Sequence, residues 1–395
     1  MSLESARVAP FGTTIFTEMS RLAVQLQAVN LGQGFPDFDG PDEVKQAALD
    51  AIRAGVNQYG VTTGHPELRK AVAEHARRFY GQTIDPDTEV TVTSGATEAI
   101  FDAVMGLVNP GDEVVLFEPF YDSYLASVQM AGGVPRFVPL RPPARADGEW
   151  TFDEGELRAA FGPRTKLVIV NTPHNPTGKL YARDELLLIH SLAAKHGAVV
   201  LSDEVYEHLV LGPGTHVRPA TLAPEQTLTI SSGGKSFSFT GWKIGWALGP
   251  AALVRATQKA HQWVTFAVAH PFQLAIAAAL RLPDAYFTGF VTDYRRRRDT
   301  LVEGLSRAGF EPLVPHGSYF VMARTDRHRR AGEDDVAFCK RLVHEAKVAS
   351  IPPSVFYTPE HAASVHGLAR FAFCKTDPVL AAGVERLVGW ASAGR

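Results

Sequence analysis

Short apolar segments alternate with longer helical patterns through the middle of the chain. The segments that fit buried strands are residues 90–93, 113–117, 166–171, 198–202 and 226–230. Strands that are apolar on both faces and alternate with helices are typical of a largely parallel sheet covered on both sides. The pattern therefore predicts an α/β fold with helices flanking a mixed, mostly parallel central sheet.

The last part of the chain mixes helices and strands differently. It contains one long helical pattern at 282–308, strand-like stretches at 318–323 and 368–373, and helical patterns at 335–346 and 379–390. This mixture predicts a smaller α+β domain, with which the first fifty or so residues are expected to pack. The predicted division is an N-terminal arm at 1–48, a large domain at 49–283, and the long helix with the small domain at 284–395.

Composition places the chain among ordinary globular proteins. It has 395 residues, 45% hydrophobic and 21% charged, with a formal net charge of -3, which gives no electrostatic reason to expect nucleic acid or anionic membrane as a partner. The two cysteines, Cys339 and Cys374, show no metal-ligand spacing, so we expect no metal and a reducing compartment. No signal-peptide pattern or membrane-length apolar run is evident, so the expectation is a soluble cytoplasmic protein.

Lys235 stands in an unusual setting, after the last of the predicted central strands. Gly233 and Gly234 precede it, so a planar molecule could approach the chain closely, and its amine can form a Schiff base with an aldehyde. A lone lysine is more often a surface residue, but these neighbours favour a catalytic role. A phosphate-binding P-loop is rejected because that pattern needs glycine where the chain has Thr229.

Other polar residues follow predicted strands, so a parallel sheet would gather them at one edge. Pyridoxal phosphate (PLP) chemistry needs an amine, an anion for the ring nitrogen, a phosphate cup and a clamp for a carboxylate. Asp203 suits the ring nitrogen, although it would equally serve as a helix cap. Tyr206 and Asn175 can donate to the 3-oxygen of the ring, although Asn175 alone fits a turn before Pro176.

The segment Ser94–Gly95–Ala96 opens a helix directly after a strand, where backbone N–H groups suit a phosphate. Ser232 and Lys243 can add a hydroxyl and a positive charge. Helix capping by Ser94 is compatible with this role.

Two further candidates have an alternative in ordinary packing. Tyr121, or less favourably Phe120, can stack on a ring or pack in the core. Arg370 lies in an apolar strand, where an inward arginine needs a partner such as a carboxylate. Strand alternation puts it on the face of Leu368 and Ala372, which leaves an outward, half-exposed arginine open.

Four motifs together resemble fold-type I PLP-dependent aminotransferases of class I, over nearly the whole chain from 11 to 390. They are Val-Asn-Leu-Gly-Gln-Gly-Phe-Pro-Asp-Phe at 29–38, Asn-Gln-Tyr at 57–59, Glu-Pro-Phe-Tyr-Asp-Ser-Tyr at 118–124 and Gly-Trp-Lys-Ile-Gly-Trp at 241–246. The group most similar is that of kynurenine aminotransferase, glutamine transaminase K and methionine aminotransferase. Actinobacterial N-succinyldiaminopimelate aminotransferases share these motifs.

The resemblance implies a role for each candidate. It makes Lys235 the Schiff-base lysine and general base, and Asp203 the partner of the pyridine nitrogen. The remaining implied roles are the 3-oxygen for Asn175 and Tyr206, the phosphate cup for Ser94, Gly95, Ala96, Ser232 and Lys243, ring stacking for Tyr121, the substrate carboxylate for Gly34, Asn175 and Arg370, the side-chain pocket for Phe16, and the phosphate of the other subunit of a homodimer for Tyr59. Many relatives have arginine at the position of Lys243, and lysine keeps the positive charge.

The implied activity is ping-pong transfer of an amino group from an amino acid to a 2-oxo acid such as 2-oxoglutarate. No counterpart of the second arginine of aspartate-specific members is evident, so methionine, glutamine or aromatic donors of the kynurenine type are favoured. One alternative is N-succinyldiaminopimelate transamination, for which His270 or a nearby basic residue would face the succinyl group. Another is cysteine-S-conjugate β-lyase activity, which needs the same residues. A PLP-binding regulator is disfavoured, because the motifs begin within the first thirty residues.

Overall fold

The computed structural model describes residues 3–393, which form twelve strands and fourteen α-helices. The strands are β1 (Val29–Asn30), β2 (Val90–Thr93), β3 (Glu113–Glu118), β4 (Val134–Pro139), β5 (Thr165–Asn171), β6 (Val199–Asp203), β7 (Thr227–Ser232), β8 (Gly245–Leu248), β9 (Glu311–Leu313), β10 (Phe320–Arg324), β11 (Val348–Ala349) and β12 (Leu368–Ala372). The helices are α1 (Ile15–Gln25), α2 (Asp42–Arg53), α3 (Pro66–Tyr80), α4 (Gly95–Leu107), α5 (Asp122–Met130), α6 (Glu154–Ala160), α7 (Arg183–His196), α8 (Gly233–Ser236), α9 (Ala251–Val264), α10 (His270–Leu280), α11 (Asp284–Arg307), α12 (Asp335–Ala346), α13 (Pro359–Ala362) and α14 (Asp377–Ala393).

The central sheet has seven strands in the order β2-β8-β7-β6-β5-β3-β4. Within the described residues, β8 runs antiparallel to both neighbours, and the other pairs of this sheet are parallel. Every residue of β2, β3 and β7 is buried, so both faces of these strands are covered. The predicted α/β fold with a mixed, mostly parallel sheet is confirmed.

The last part of the chain, together with β1, forms two smaller sheets. Strands β12, β10 and β9 make an antiparallel sheet, and the short N-terminal strand β1 pairs with β11. Helix α11 extends over 24 residues and falls within the predicted 282–308 pattern. The boundaries proposed at residues 48 and 283 stay a prediction.

None of the described helices is by itself long and apolar enough to cross a membrane. Only the pair α10 and α11, bent by 90° at the break between them, passes the same test of length and composition when counted together.

Candidate active site

Three neighbouring strands of the central sheet end at one cavity. Asn171 ends β5, Asp203 ends β6 and Ser232 ends β7, and Lys235 follows on the short helix α8. The cavity has a volume of about 310 Å³. It brings together most of the residues singled out from the sequence, namely Phe16, Gly34, Gly95, Ala96, Tyr121, Asn175, Asp203, Tyr206, Ser232, Lys235, Lys243 and Arg370.

Lys235 lines this cavity, and its amine lies near two aromatic rings that contact each other. Its Nζ donates to the carbonyl of Gly34 at 3.4 Å and lies 5.8 Å and 5.7 Å from the ring centroids of Tyr206 and Tyr319. Desolvation in these surroundings lowers the pKa of Lys235 to about 8. An amine with this pKa is partly neutral near physiological pH, which makes it a nucleophile and a base.

Asp203 is a buried carboxylate whose hydrogen bonds come from neutral groups. Its Oδ2 accepts from the hydroxyl of Tyr124 at 2.5 Å, and its Oδ1 accepts from the Val205 N–H at 3.2 Å. Burial raises the pKa of Asp203 to about 6. Tyr124 was not among the residues singled out from the sequence, although it stands three residues after Tyr121 at the start of α5, where such a spacing brings side chains to one side of a helix.

Asn175 and Tyr206 line the same cavity as Asp203. The N–H of Asn175 donates to Asn171 Oδ1 at 2.7 Å, and the Asn171 amide donates to the Asp203 carbonyl at 3.0 Å, so a second asparagine fixes this loop. Burial raises the pKa of Tyr206 well above its ordinary value, which keeps its hydroxyl protonated and able to donate.

The first turn of α4 faces Lys243. Gly95 has a φ of +77°, and a Cβ at that position would lie 3.3 Å from Lys243 Nζ, so glycine lets the lysine approach the backbone. Lys243 itself has a left-handed φ of 54°. Ser94, expected in the phosphate cup, does not line the cavity. Its N–H donates instead to the Glu98 carboxylate, so the cavity wall begins at Gly95.

Arg370 faces inward, which resolves the alternative that strand alternation left open. All five residues of β12 are buried, so both faces of this strand are covered. Its Nη2 donates to the Gly32 carbonyl at 2.8 Å and its Nη1 to Asn175 Oδ1 at 3.2 Å, while its guanidinium lies 4.2 Å from the ring centroid of Phe320. Burial lowers the pKa of Arg370 to about 10, so it remains charged, and among the described residues its Nε has no hydrogen-bond partner. A buried guanidinium with a free donor fits a carboxylate ligand.

Position 34 requires glycine because the Phe320 side chain approaches it closely in the cavity wall. A Cβ there would lie 2.5 Å from the Phe320 ring, and the Gly34 carbonyl accepts from the Tyr319 hydroxyl at 2.5 Å. The cavity-lining residues that sequence reasoning did not single out include Gln33, Thr97, Tyr124, Asn171, Thr240 and Phe320.

Two sequence candidates lie away from the cavity of their own chain. Tyr59 is 89% exposed, and its ring packs edge-on against Phe266 with centroids 5.6 Å apart. His270 begins α10 beside His65, with ring centroids 5.4 Å apart, and does not line the cavity. The requirement that His270 face a succinyl group is therefore not met within one chain.

The donor set of the cavity fits PLP group by group. An amine (Lys235), a buried carboxylate (Asp203), protonated phenols, and a lysine beside the N-terminus of α4 match the aldehyde, ring nitrogen, 3-oxygen and phosphate of that cofactor. The orphaned Nε of Arg370 supplies a binding group for a substrate carboxylate.

Comparisons with known proteins agree with this donor set. The family model described as aminotransferase class I and II matches residues 27–387. The protein named "Probable N-succinyldiaminopimelate aminotransferase DapC" of Mycobacterium tuberculosis (strain H37Rv) is 46% identical over 390 residues, covering 97% of each chain. The methionine aminotransferase of Escherichia coli (strain K12) is 40% identical over 387 residues, covering 98% of each chain.

Solved structures give the same result. The N-succinyldiaminopimelate aminotransferase of Mycobacterium tuberculosis has a TM-score of 0.93 at 46% identity, covering 98% of this chain and 100% of that one. YbdL of Escherichia coli, whose structure identified a methionine aminotransferase function, has a TM-score of 0.91 at 38% identity with the same coverage. Members of this family use pyridoxal 5'-phosphate and act on amino acids and 2-oxo acids. The chain therefore belongs to the class I and II aminotransferases, has the fold of a fold-type I PLP-dependent transferase, and is an aminotransferase.

Proposed function

We propose that this aminotransferase takes its amino group from an amino acid with an uncharged side chain, of the methionine, glutamine or aromatic (kynurenine) type. The observation behind this proposal is the set of cations in the cavity. Among the described lining residues these are Lys235, Lys243 and Arg370. Each is used by the cofactor or the substrate α-carboxylate, so the cavity wall of this chain leaves no cation for a second carboxylate, and Phe16 and Phe320 give the substrate side an aromatic wall.

The acceptor is proposed to be a 2-oxo acid, with 2-oxoglutarate as the first to be tested. A relative from Dictyostelium discoideum, 40% identical over 415 residues, is named kynurenine–oxoglutarate transaminase.

The proposed chemistry divides between the cofactor and the chain. When bound, PLP supplies an aldehyde for Lys235 and a ring that takes up the electron pair left at the substrate Cα. Asp203 holds a proton on the ring nitrogen, and Tyr124 fixes the orientation of that carboxylate. The Lys235 amine would remove the Cα proton as a base and, as the resulting ammonium, would deliver that proton to the cofactor carbon that carried the aldehyde.

Binding and orientation come from the rest of the cavity. Arg370 and Asn175 hold the substrate α-carboxylate, since the two are already joined by a hydrogen bond of 3.2 Å. Lys243 and the N–H groups at Gly95 and Ala96 hold the cofactor phosphate. Tyr206 donates to the 3-oxygen, as its protonated phenol allows.

We further propose a homodimer in which Tyr59 reaches the phosphate bound in the other subunit. The support is an exposed aromatic surface in which Tyr59, Trp263 and Phe266 are 89%, 83% and 45% exposed. Apolar patches of this kind mark protein interfaces. Cys339 and Cys374 are both free and buried, which suits the reducing cytoplasm that we propose as the location.

Single-turnover reactions of the PLP-loaded protein with single amino acids test the donor proposal. We expect methionine, glutamine, phenylalanine or kynurenine to react with a higher kcat/KM than aspartate. Faster reaction with aspartate would contradict the proposal, because it requires a second carboxylate-binding cation.

N-succinyldiaminopimelate is the second candidate donor, supported by the relative of that name at 46% identity. Its succinyl carboxylate needs a cation beyond the three that line the cavity, and His270 does not provide it within one chain. The same reaction with N-succinyldiaminopimelate separates the two candidates: a higher kcat/KM than for methionine would assign this donor instead.

A further inference from the structure

His261 is a fully buried histidine of α9 that lies between two hydrogen-bond acceptors. Its Nδ1 lies 2.9 Å from Glu98 Oε1, and its Nε2 lies 2.9 Å from the carbonyl oxygen of Thr62. An ionised carboxylate and a carbonyl can only accept. Both ring nitrogens must therefore carry a proton, and the ring is an imidazolium cation.

Two carboxylates of α4 stabilise this buried cation. Glu98 and Asp102 stand four residues apart on one side of the helix, and Asp102 Oδ2 lies 3.6 Å from His261 Nδ1. Neither Asp102 oxygen has a closer hydrogen-bond partner among the described residues. Although burial opposes the charge, the Asp102 and Glu98 carboxylates raise the pKa of His261 to about 9.

One side of the ring is linked to the cofactor end of α4. The second oxygen of Glu98 accepts the backbone N–H of Ser94, directly before Gly95. Gly95 and Ala96 line the cavity, whereas His261 does not. A bond from His261 to Glu98 and from Glu98 to Ser94 thus fixes the first turn of α4, where the proposed phosphate cup lies.

The other side of the ring is linked to the segment 57–63. The Thr62 carbonyl accepts from His261, and Tyr59 stands three residues earlier. The Tyr59 ring packs on Phe266, which follows the end of α9. The same imidazolium therefore touches both pieces of chain that the proposed function assigns to cofactor phosphates, one in its own subunit and one in the partner.

We propose that His261 is a positioning residue for the cofactor phosphate, holding the first turn of α4 and the segment 57–63 in one arrangement through its two N–H groups. The inference rests on the proposed function, because the phosphate concerned is that of PLP. The inference predicts that loss of either link weakens binding of the cofactor phosphate and leaves the contacts of the cofactor's pyridine ring intact.

Two variants break the links separately. In His261→Gln the amide nitrogen falls near the place of Nε2, which keeps the Thr62 link and removes the Glu98 link. In His261→Asn it falls near the place of Nδ1, with the opposite effect. The matched control is His190→Gln. His190 on α7 is also buried, its Nε2 donates to the Pro219 carbonyl at 3.1 Å, and it does not line the cavity.

The experiment is titration of the PLP-free protein with PLP and, separately, with pyridoxal, which lacks the phosphate. Binding is monitored by the intrinsic fluorescence of the protein. We expect each His261 variant to bind PLP on the order of tenfold more weakly than wild type, as loss of a charge-assisted hydrogen bond implies. Pyridoxal affinity should be unchanged in these variants, and both affinities should be unchanged in His190→Gln. One His261 variant is sufficient for the test if the other does not fold.

A double-mutant cycle checks the link to the partner subunit. In a Tyr59→Phe background, which lacks the hydroxyl proposed to reach the phosphate, His261→Asn should cause no further loss of PLP affinity, whereas His261→Gln should still cause one. Wild-type PLP affinity in both single variants, or an equal loss of PLP and pyridoxal affinity, would overturn the inference. Failure of the wild-type protein to bind PLP would instead refute the proposed function itself.

Discussion

The hydrogen bonds of the Asp203 carboxylate come from uncharged groups, so the carboxylate is left able to pair with a cation. A phenol and a backbone N–H orient it, and burial raises its pKa to about 6. A protonated ring nitrogen beside it would restore the ionised form. The residue is therefore expected to cost stability in the cofactor-free protein and to contribute to catalysis in the loaded one.

The pH dependence of stability follows from this shift. Because the pKa of Asp203 is raised from 3.8 to about 6, the folded state binds a proton that the unfolded state has released, and stability falls as pH rises through that interval. Well above pH 6, the free energy of unfolding of cofactor-free Asp203→Asn should exceed that of wild type by roughly 3 kcal/mol. Below pH 4 the two free energies of unfolding should be alike. Urea unfolding across this pH range measures the difference; a pH-independent difference would disprove the assignment.

Tyr124 acts on the same carboxylate. Tyr124→Phe removes the donor to Asp203 and should lower kcat by about tenfold, as loss of one charge-assisted hydrogen bond implies. Tyr181→Phe is the matched control, because the buried Tyr181 hydroxyl has no hydrogen-bond partner among the described residues. Steady-state kinetics of both variants provide the measurement, and equal kcat values for the two would remove the role of Tyr124.

At the scale of elements, β3, β5 and β6 were predictable because burial on both faces gives each of them a continuous apolar run. The same burial explains what was not predictable. β12 is covered on both faces, so alternation carries no information about the direction of Arg370. β7 extends to Ser232, beyond the predicted end at 230, because antiparallel pairing of Ser232 with Gly245 continues the strand through polar residues.

Contacts between distant elements could not be predicted at all. The Tyr124–Asp203 bond spans 79 positions and the Glu98–His261 contact spans 163, and no local pattern encodes either. Ser94 was expected in the phosphate cup from its position after β2, but its N–H donates to the Glu98 carboxylate one turn later. The motifs identified the residues of the site, whereas the packing of helices decided which of them face the cavity.

The turn between β2 and α4 gives a prediction at this scale. Gly95→Ala and Gly197→Ala both place a side chain at a left-handed φ, of +77° and +67°, and should each lose about 1–2 kcal/mol of stability. Only the Gly95 substitution meets Lys243, at 3.3 Å, whereas nothing lies within 4 Å at Gly197. PLP titration should therefore show weaker binding for Gly95→Ala alone; wild-type affinity there would argue against the phosphate cup.

At the scale of the whole molecule, the site of one chain is incomplete under the proposed function, because Tyr59 is exposed and does not line the cavity of its own chain. Hybrid dimers test this. A hybrid of Lys235→Ala and Tyr59→Ala subunits contains one intact site, formed by the lysine of one subunit and the tyrosine of the other. Co-expressed subunits assayed at limiting PLP should show activity above the average of the two parents, and activity equal to that average would contradict shared sites.

The central claim is that Lys235 carries the cofactor of an aminotransferase. The most direct measurement is the visible absorbance of the purified protein before and after addition of single amino acids, compared among wild type, Lys235→Ala and the control Lys179→Ala, whose lysine is paired with Glu185 outside the cavity. We expect a lysine-bound PLP band in wild type and the control that collapses with a preferred donor, and neither band nor turnover in Lys235→Ala. A wild-type protein that shows no such band even with added PLP, or a Lys235→Ala variant that still transaminates, would contradict it.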